Sequence, residues 1–253
     1  MGTITEKELT RGRGPLWLAY PLAAVILLGT QVYGLSLYAD LPDPVPTHWG
    51  PSGAPDAFDA KSPAAVFGML WVGLGMTLLM ALLTAVVPAL SPARAEPSPY
   101  RRIQREGMIR GTMGCLGATT VLLAALFSVL AIEGWLRPAN VGGWFGVFFT
   151  GVILLVIGWA SSRGSRWARR RAFEAGVHPD ADEATEERLW LWGGMLYNNP
   201  ADPQIMVAKR EGTGTGLAVN VGSTGGKWAV AIFLLLVIGA PLGIFVATTL
   251  GAG

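Results

Sequence analysis

The chain has 253 residues, 51% of them hydrophobic and only 14% charged. Soluble domains carry about 25% charged residues, so this composition excludes an ordinary soluble enzyme or binding module and points to a membrane protein. The net charge of +2 says little by itself; where the charges fall says more.

Five stretches contain no Asp, Glu, Lys or Arg: residues 16–38, 64–90, 111–132, 142–160 and 228–250. Each is long enough to cross a hydrocarbon layer of roughly 30 Å as a helix. Residues 1–15 form a short lead. The first stretch exceeds the roughly 7–15 apolar residues of a signal peptide and lacks a small-x-small cleavage site, so it reads as a retained anchor. Between the first two stretches lies LPDPVPTHWGPSGAPDAFDAK, residues 41–61. Its prolines fix φ and restrict the residues before them, so this loop can hold one shape without a core. Ser62 and Pro63 suit the N-cap and first position of the second helix, and Pro88 ends it near Val86. The third and fourth stretches are joined by a short turn and should run antiparallel.

Residues 161–227 are the only sizeable polar segment. Arg163, Arg166, Arg169, Arg170 and Arg171 should continue the fourth helix into the lipid headgroups. Acids at Asp182, Glu183, Glu186 and Glu187 mark the start of a further helix within 180–192. YNNPADPQ reads as a turn. Residues 205–210 and 216–221 read as two strands around EGTGT, with Leu217, Val219 and Val221 on one face. In the last stretch, Pro241 should kink the helix or open its ladder. Gly142-xxx-Gly146 and Gly239-xxx-Gly243 would allow close helix approach.

Of the 19 Lys and Arg residues, 17 lie in 1–15, 91–110 and 161–227; the other two are Lys61 and Arg137. Basic loops stay cytoplasmic. The expected orientation therefore puts the N-terminus and 161–227 inside, with loop 39–63 and the C-terminus outside. No span carries an ionisable group, which weighs against a proton- or ion-coupled pump.

The candidate sites follow from placement. Asp43, Pro46, His48, Trp49 and Asp56 are the outer recognition residues. Asp40 and Asp59 add carboxylates near His48, but one histidine among scattered aspartates lacks metal-ligand spacing, so no metal is assigned. Cys115 reads as a small apolar packing residue. GTGTG, residues 212–216, fails the phosphate-loop pattern and has no helix behind it. No catalytic constellation is apparent, and no cofactor is implied. The five arginines from Arg163 to Arg171 are an anionic-lipid surface, while direct nucleic-acid binding is disfavoured by the acidic neighbouring segment.

The LPD and PTHW strings, here in LPDPVPTHW, and the following G–x–P–D resemble the signature of the SdpI-like bacterial membrane family, over roughly residues 16–90. That resemblance implies immunity to a secreted peptide toxin and tethering of a transcriptional regulator at the cytoplasmic membrane. Residues 192–220, with W–x–G–x–x–Y–x–NP–x–DP and V–x–KR, resemble a second small family of unknown function found appended to such proteins. On that basis Tyr197, Asn199, Asp202, Lys209, Arg210 and Asn220 are the candidate cytoplasmic partner surface.

The expected fold is an all-α membrane protein of five transmembrane helices with a small cytoplasmic α+β hairpin module. Its segments are 1–90, 91–160, 161–227 and 228–253. The expected function is a non-enzymatic membrane sensor or immunity-type protein in the bacterial cytoplasmic membrane. It would recognise an extracytoplasmic peptide or envelope component outside and signal to a partner inside. The alternative is a small-solute permease or transporter accessory subunit.

Overall fold

The computed structural model describes residues 5–50, 52–91, 97–139, 144–192, 194–209 and 216–250. In chain order the elements are α1 (Glu6–Thr10), α2 (Ala19–Leu37), β1 (Val45–Trp49), β2 (Pro55–Asp59), α3 (Pro63–Val86), α4 (Pro99–Leu136), α5 (Trp144–Glu174), α6 (Ala181–Arg188), β3 (Trp190–Leu191), β4 (Leu196–Tyr197), β5 (Met206–Ala208), β6 (Leu217–Val219), α7 (Thr224–Leu234) and α8 (Ala240–Leu250). The strands form three separate antiparallel pairs, β1–β2, β3–β4 and β5–β6. Among the described residues, five helical segments are long and apolar enough to cross a membrane: Glu6–Asp40, Pro63–Val86, Pro99–Leu136, Val147–Glu174 and Thr224–Ile244. The chain thus has the character of a multi-pass membrane protein.

The local chemistry sets the element ends. Ser62 Oγ accepts the Ala65 amide at 3.2 Å and starts α3, which ends at Val86 as Pro88 requires. Asp180 and Glu183 form a reciprocal capping box on α6. Gly176, at φ +62°, closes α5 with paired bonds from Val177 N–H to the Ala172 carbonyl and from Gly176 N–H to that of Phe173. That is a Schellman ending, which only glycine adopts without strain. Between α7 and α8 the helix widens to a π-turn at Leu235–Gly239. Pro241 has no N–H to donate, and its ring crowds the carbonyl four residues earlier; the wider turn relieves both.

Three elements depart from expectation. The lead carries α1, set by a Thr5–Glu8 capping box. The apolar stretch 111–132 is the middle of α4, whose first twelve residues include Arg101, Arg102, Arg105, Glu106 and Arg110. Absence of charge marks the lipid-compatible part of a helix, not its ends. The stretch after α6 turns into β3 rather than continuing as helix, because Trp192 (φ 48°) and Gly194 (φ 91°) take left-handed conformations.

Two compact units emerge, each built from separated parts of the chain. One takes its described residues from 1–17, 82–116 and 155–234. In it Leu9, Tyr100, Ile103, Ala168 and Ala172 form a core, and Val87, Ile109 and Met113 form a second cluster. The helices α4 and α5 meet through glycine. A Cβ on Gly107 would sit 2.6 Å from that of Ala168, and one on Gly164 would overlap the Gly107 carbonyl. Gly239 and Gly243 make no such approach: a Cβ at Gly239 meets only Leu235, one turn back, and one at Gly243 meets nothing. Gly142 lies outside the described residues.

The other unit takes its residues from 18–81, 117–154 and 235–253. Its core joins Ala23, Leu27, Val66, Phe67, Leu70, Ala124 and Ala131 to Leu41 and Val45 of the loop. Phe67 stacks on Tyr38 and meets Trp135 edge-on, each at 5.9 Å between centroids. Gly34 leaves the space that these rings fill.

Candidate functional site

The loop at 41–61 is a hairpin docked on its own unit. β1 pairs with β2 from Val45↔Asp59 to Trp49↔Pro55, with register shifts on either side of His48. Such bulges twist a strand and re-aim its side chains. The turn is closed by Gly50 N–H to the Ala54 carbonyl and Gly53 N–H to that of Gly50, both at 2.9 Å. Gly53 supplies the positive φ, 82°.

The five predicted outer residues divide into anchors and an exposed tip. Trp49 donates its indole N–H to the Pro138 carbonyl at 2.9 Å, and its ring covers Gly134, where a Cβ would come within 2.7 Å. The ring also packs against the Phe145 and Phe149 cluster. Asp43 accepts the Lys61 amide at 3.0 Å and so closes the base of the hairpin. Lys61 then donates its ammonium to the Ala39 and Leu41 carbonyls and lies 5.8 Å from the Tyr38 ring. A cation at the end of α2 also offsets the negative end of its dipole. Pro46 lines a cavity of about 250 Å³ beneath the hairpin, together with Trp49, Asp59, Met69, Leu130 and Trp135.

His48 and Asp56 are different. Their side chains are 68% and 52% exposed, and His48 Nδ1 lies 2.5 Å from Asp56 Oδ1. An exposed pair of this kind contributes about 1 kcal/mol or less to stability. Phe58, 54% exposed, stands on the same hairpin. The docked hairpin thus presents polar and aromatic side chains that serve no packing role.

In the other unit the predicted inner residues are mostly spent on structure. Asn220 is fully buried. Its Oδ1 accepts the Asn199 and Gly222 amides, and its Nδ2 donates to the Asn199 and Asp202 carbonyls. Asn220 is thus no part of a surface: it ties the YNNPADPQ turn to the start of α7. Asn199 and Asp202 cap that turn through Ala201 and Gln204 N–H. The Tyr197 hydroxyl accepts from Asn199, and its ring lies against Trp190. Lys209 borders a second cavity, described below. Arg210 lies outside the described residues. On the β5–β6 pair Ala218 is buried, while Met206 and Leu217 on the opposite face are 49% and 56% exposed. The face carrying Leu217 and Val219 is therefore the outward one.

Of the five arginines, Arg170 and Arg171 pair with Glu174, and Arg163 lies 5.0 Å over the Trp159 ring. Arg169 borders the second cavity. Arg166 is exposed.

One polar cluster has no signal in the sequence. Glu106, with its side chain 4% exposed, receives both Arg13 and Arg110. Arg110 also donates to the Leu9 and Arg11 carbonyls and stacks 4.2 Å over Trp167. The acids of α6 bond similarly, Glu183 to Ser98 and Glu186 to Arg101. Contacts spanning some 90 residues have no periodicity to betray them.

The profile of one family, a domain of unknown function (DUF1648), matches residues 25–73. The match covers α2 from Val25 onward, the whole hairpin and roughly the first half of α3. No curated protein and no solved structure matches the chain.

Proposed function

We propose that this chain is a non-enzymatic membrane receptor of the sensor or immunity type, with the β1–β2 hairpin as its recognition element. The observation that carries this reading is the division within the hairpin. Leu41, Val45, Trp49, Asp43 and Lys61 hold it in place, while His48, Asp56 and Phe58 face solvent. A stiff, docked scaffold presenting a few free side chains loses little entropy on binding. The ligand class that suits it is a peptide or envelope component offering a cation to Asp56 and an apolar side chain to Phe58. The basic excess of residues 1–15, 91–110 and 161–227 supports a topology with the N-terminus and α6–β6 in the cytoplasm and the hairpin outside. A cytoplasmic partner would meet the outward face of β5–β6, where Met206 and Leu217 are free. The five arginines hold this side to anionic lipid.

The test is survival of a toxin-sensitive Gram-positive host that lacks its own immunity protein, challenged with the secreted peptide toxin. Wild type should protect. His48→Ala/Asp56→Ala, which leaves every anchor in place, should lose protection at equal membrane abundance. Equal survival with wild type, the double variant and empty vector would discard toxin immunity.

A further inference from the structure

The unit that contains α6 and the two small hairpins encloses a cavity of about 270 Å³ between α4, α5 and β3–β4. Its walls differ along their length. Where α4 and α5 run side by side, Gln104 and Arg169 fall toward one end and Leu116 and Ile157 toward the other, and Lys209 also lines the wall. Gln104 and Leu116 are twelve residues apart on one helix, roughly 18 Å at 1.5 Å per residue. The gradient follows the helices themselves. α4 has no charged residue from Gly111 to Ile132, and α5 none up to Ala160. The cavity therefore crosses the level at which lipid-compatible helix gives way to charged helix.

The polar end has unused capacity. The Gln104 amide nitrogen is enclosed and has no acceptor among the described residues. Arg169 and Lys209 have no ion-pair partner among them either, whereas Arg13, Arg101, Arg110, Arg170 and Arg171 each engage a glutamate. The one acid in the wall, Glu187, already receives the Tyr100 hydroxyl. A buried amide nitrogen normally finds an acceptor, and beside the exposed Arg169 and the half-buried Lys209 an acceptor carrying negative charge fits best. The volume is slightly below the roughly 300–1,000 Å³ of small-molecule sites, which suits a headgroup rather than a whole lipid.

We propose that this cavity binds the phosphate headgroup of one anionic phospholipid, with Gln104, Arg169 and Lys209 on the phosphate and the acyl chains leaving along Leu116 and Ile157. This is a built site for one lipid, distinct from a diffuse basic surface. It involves one of the five arginines at the end of α5 and reaches across to Lys209 in β5–β6. It also stands independently of what the outer hairpin recognises.

The experiment uses the full chain, purified in mild detergent and titrated with phosphatidylglycerol, phosphatidylcholine or soluble glycerol phosphate, with bound ligand counted by native mass spectrometry. Wild type should hold one phosphatidylglycerol and prefer it to phosphatidylcholine. Arg169→Gln/Lys209→Gln should weaken that lipid by about thirtyfold, as expected for two interfacial cations. Gln104→Leu should lower affinity with both charges intact. Arg170→Gln/Arg171→Gln removes the same charge outside the cavity and should bind as wild type does. Equal losses from the two double variants would overturn the proposal in favour of a diffuse patch. Absence of a phosphatidylglycerol preference would overturn it too. Glycerol phosphate binding as tightly as the lipid would overturn the lipid assignment in favour of a soluble phosphate ester.

Discussion

Replacing Asn220 with alanine removes four hydrogen bonds at once and leaves two amides and two carbonyls without their partner. Each such group, if left dry, costs about 1–3 kcal/mol, so Asn220→Ala should lower stability by roughly 3 kcal/mol or more. Asn220→Asp should be no better, because a carboxylate would face the Asn199 and Asp202 carbonyls. Thermal unfolding in detergent checks both, and a variant as stable as wild type would refute the structural role. Glu106 gives a second residue-scale prediction. Glu106→Gln leaves Arg13 and Arg110 with a weakened common acceptor in a buried site, where breaking a pair typically costs about 3–5 kcal/mol. The loss should appear as a lower unfolding temperature and as easier proteolysis of α1. Neither residue was legible as structural. Asn220 lies in the expected strand 216–221 and reads as part of a partner surface, and Glu106 lies in a segment that reads as a charged loop.

At the scale of elements, sequence marks what is local. The charge-free stretches locate the five spans, Ser62 and Pro88 bound α3, and the acids locate α6. The strands β5 and β6 are legible from their alternation and glycine turn. The β1–β2 hairpin is not, because prolines suppress strand propensity and two bulges break the alternation on which strand patterns rest. Helix contacts are equally hidden. Between α4 and α5 the glycines that touch are Gly107, Gly111 and Gly164, and two of these lie outside every charge-free stretch. Gly164→Ala should force α4 and α5 apart and cost about 1–3 kcal/mol, the usual penalty of overpacking. Gly239→Ala, with only its own helix nearby, should be close to neutral in the same unfolding assay. In the hairpin, Trp49→Phe keeps the ring over Gly134 but loses the bond to the Pro138 carbonyl. A loss of about 1 kcal/mol should speed hydrogen exchange of the hairpin amides roughly fivefold. Unchanged protection would mean that the tip is not held through Trp49.

For the molecule as a whole, the decisive property is the distribution of charge between the two ends of its spans. In the proposed topology five crossings would put the two termini on opposite faces, and the basic excess around α1, the start of α4 and the end of α5 favours those segments inside. The receptor reading depends on this, since His48 and Asp56 meet an external ligand only if the hairpin faces out. Cysteine labelling decides it. In a Cys115→Ser background, a cysteine at Ala57 of the hairpin should react with a membrane-impermeant maleimide on intact cells. A cysteine at Glu174 should react only after lysis. In that topology Lys61 and Arg137 would be the only Lys or Arg outside, and Lys61 is held by two carbonyls, so the asymmetry would be steep. Labelling at Glu174 on intact cells would invert the topology. The hairpin would then face the cytoplasm, and its free side chains would have to be read as a surface for an internal partner.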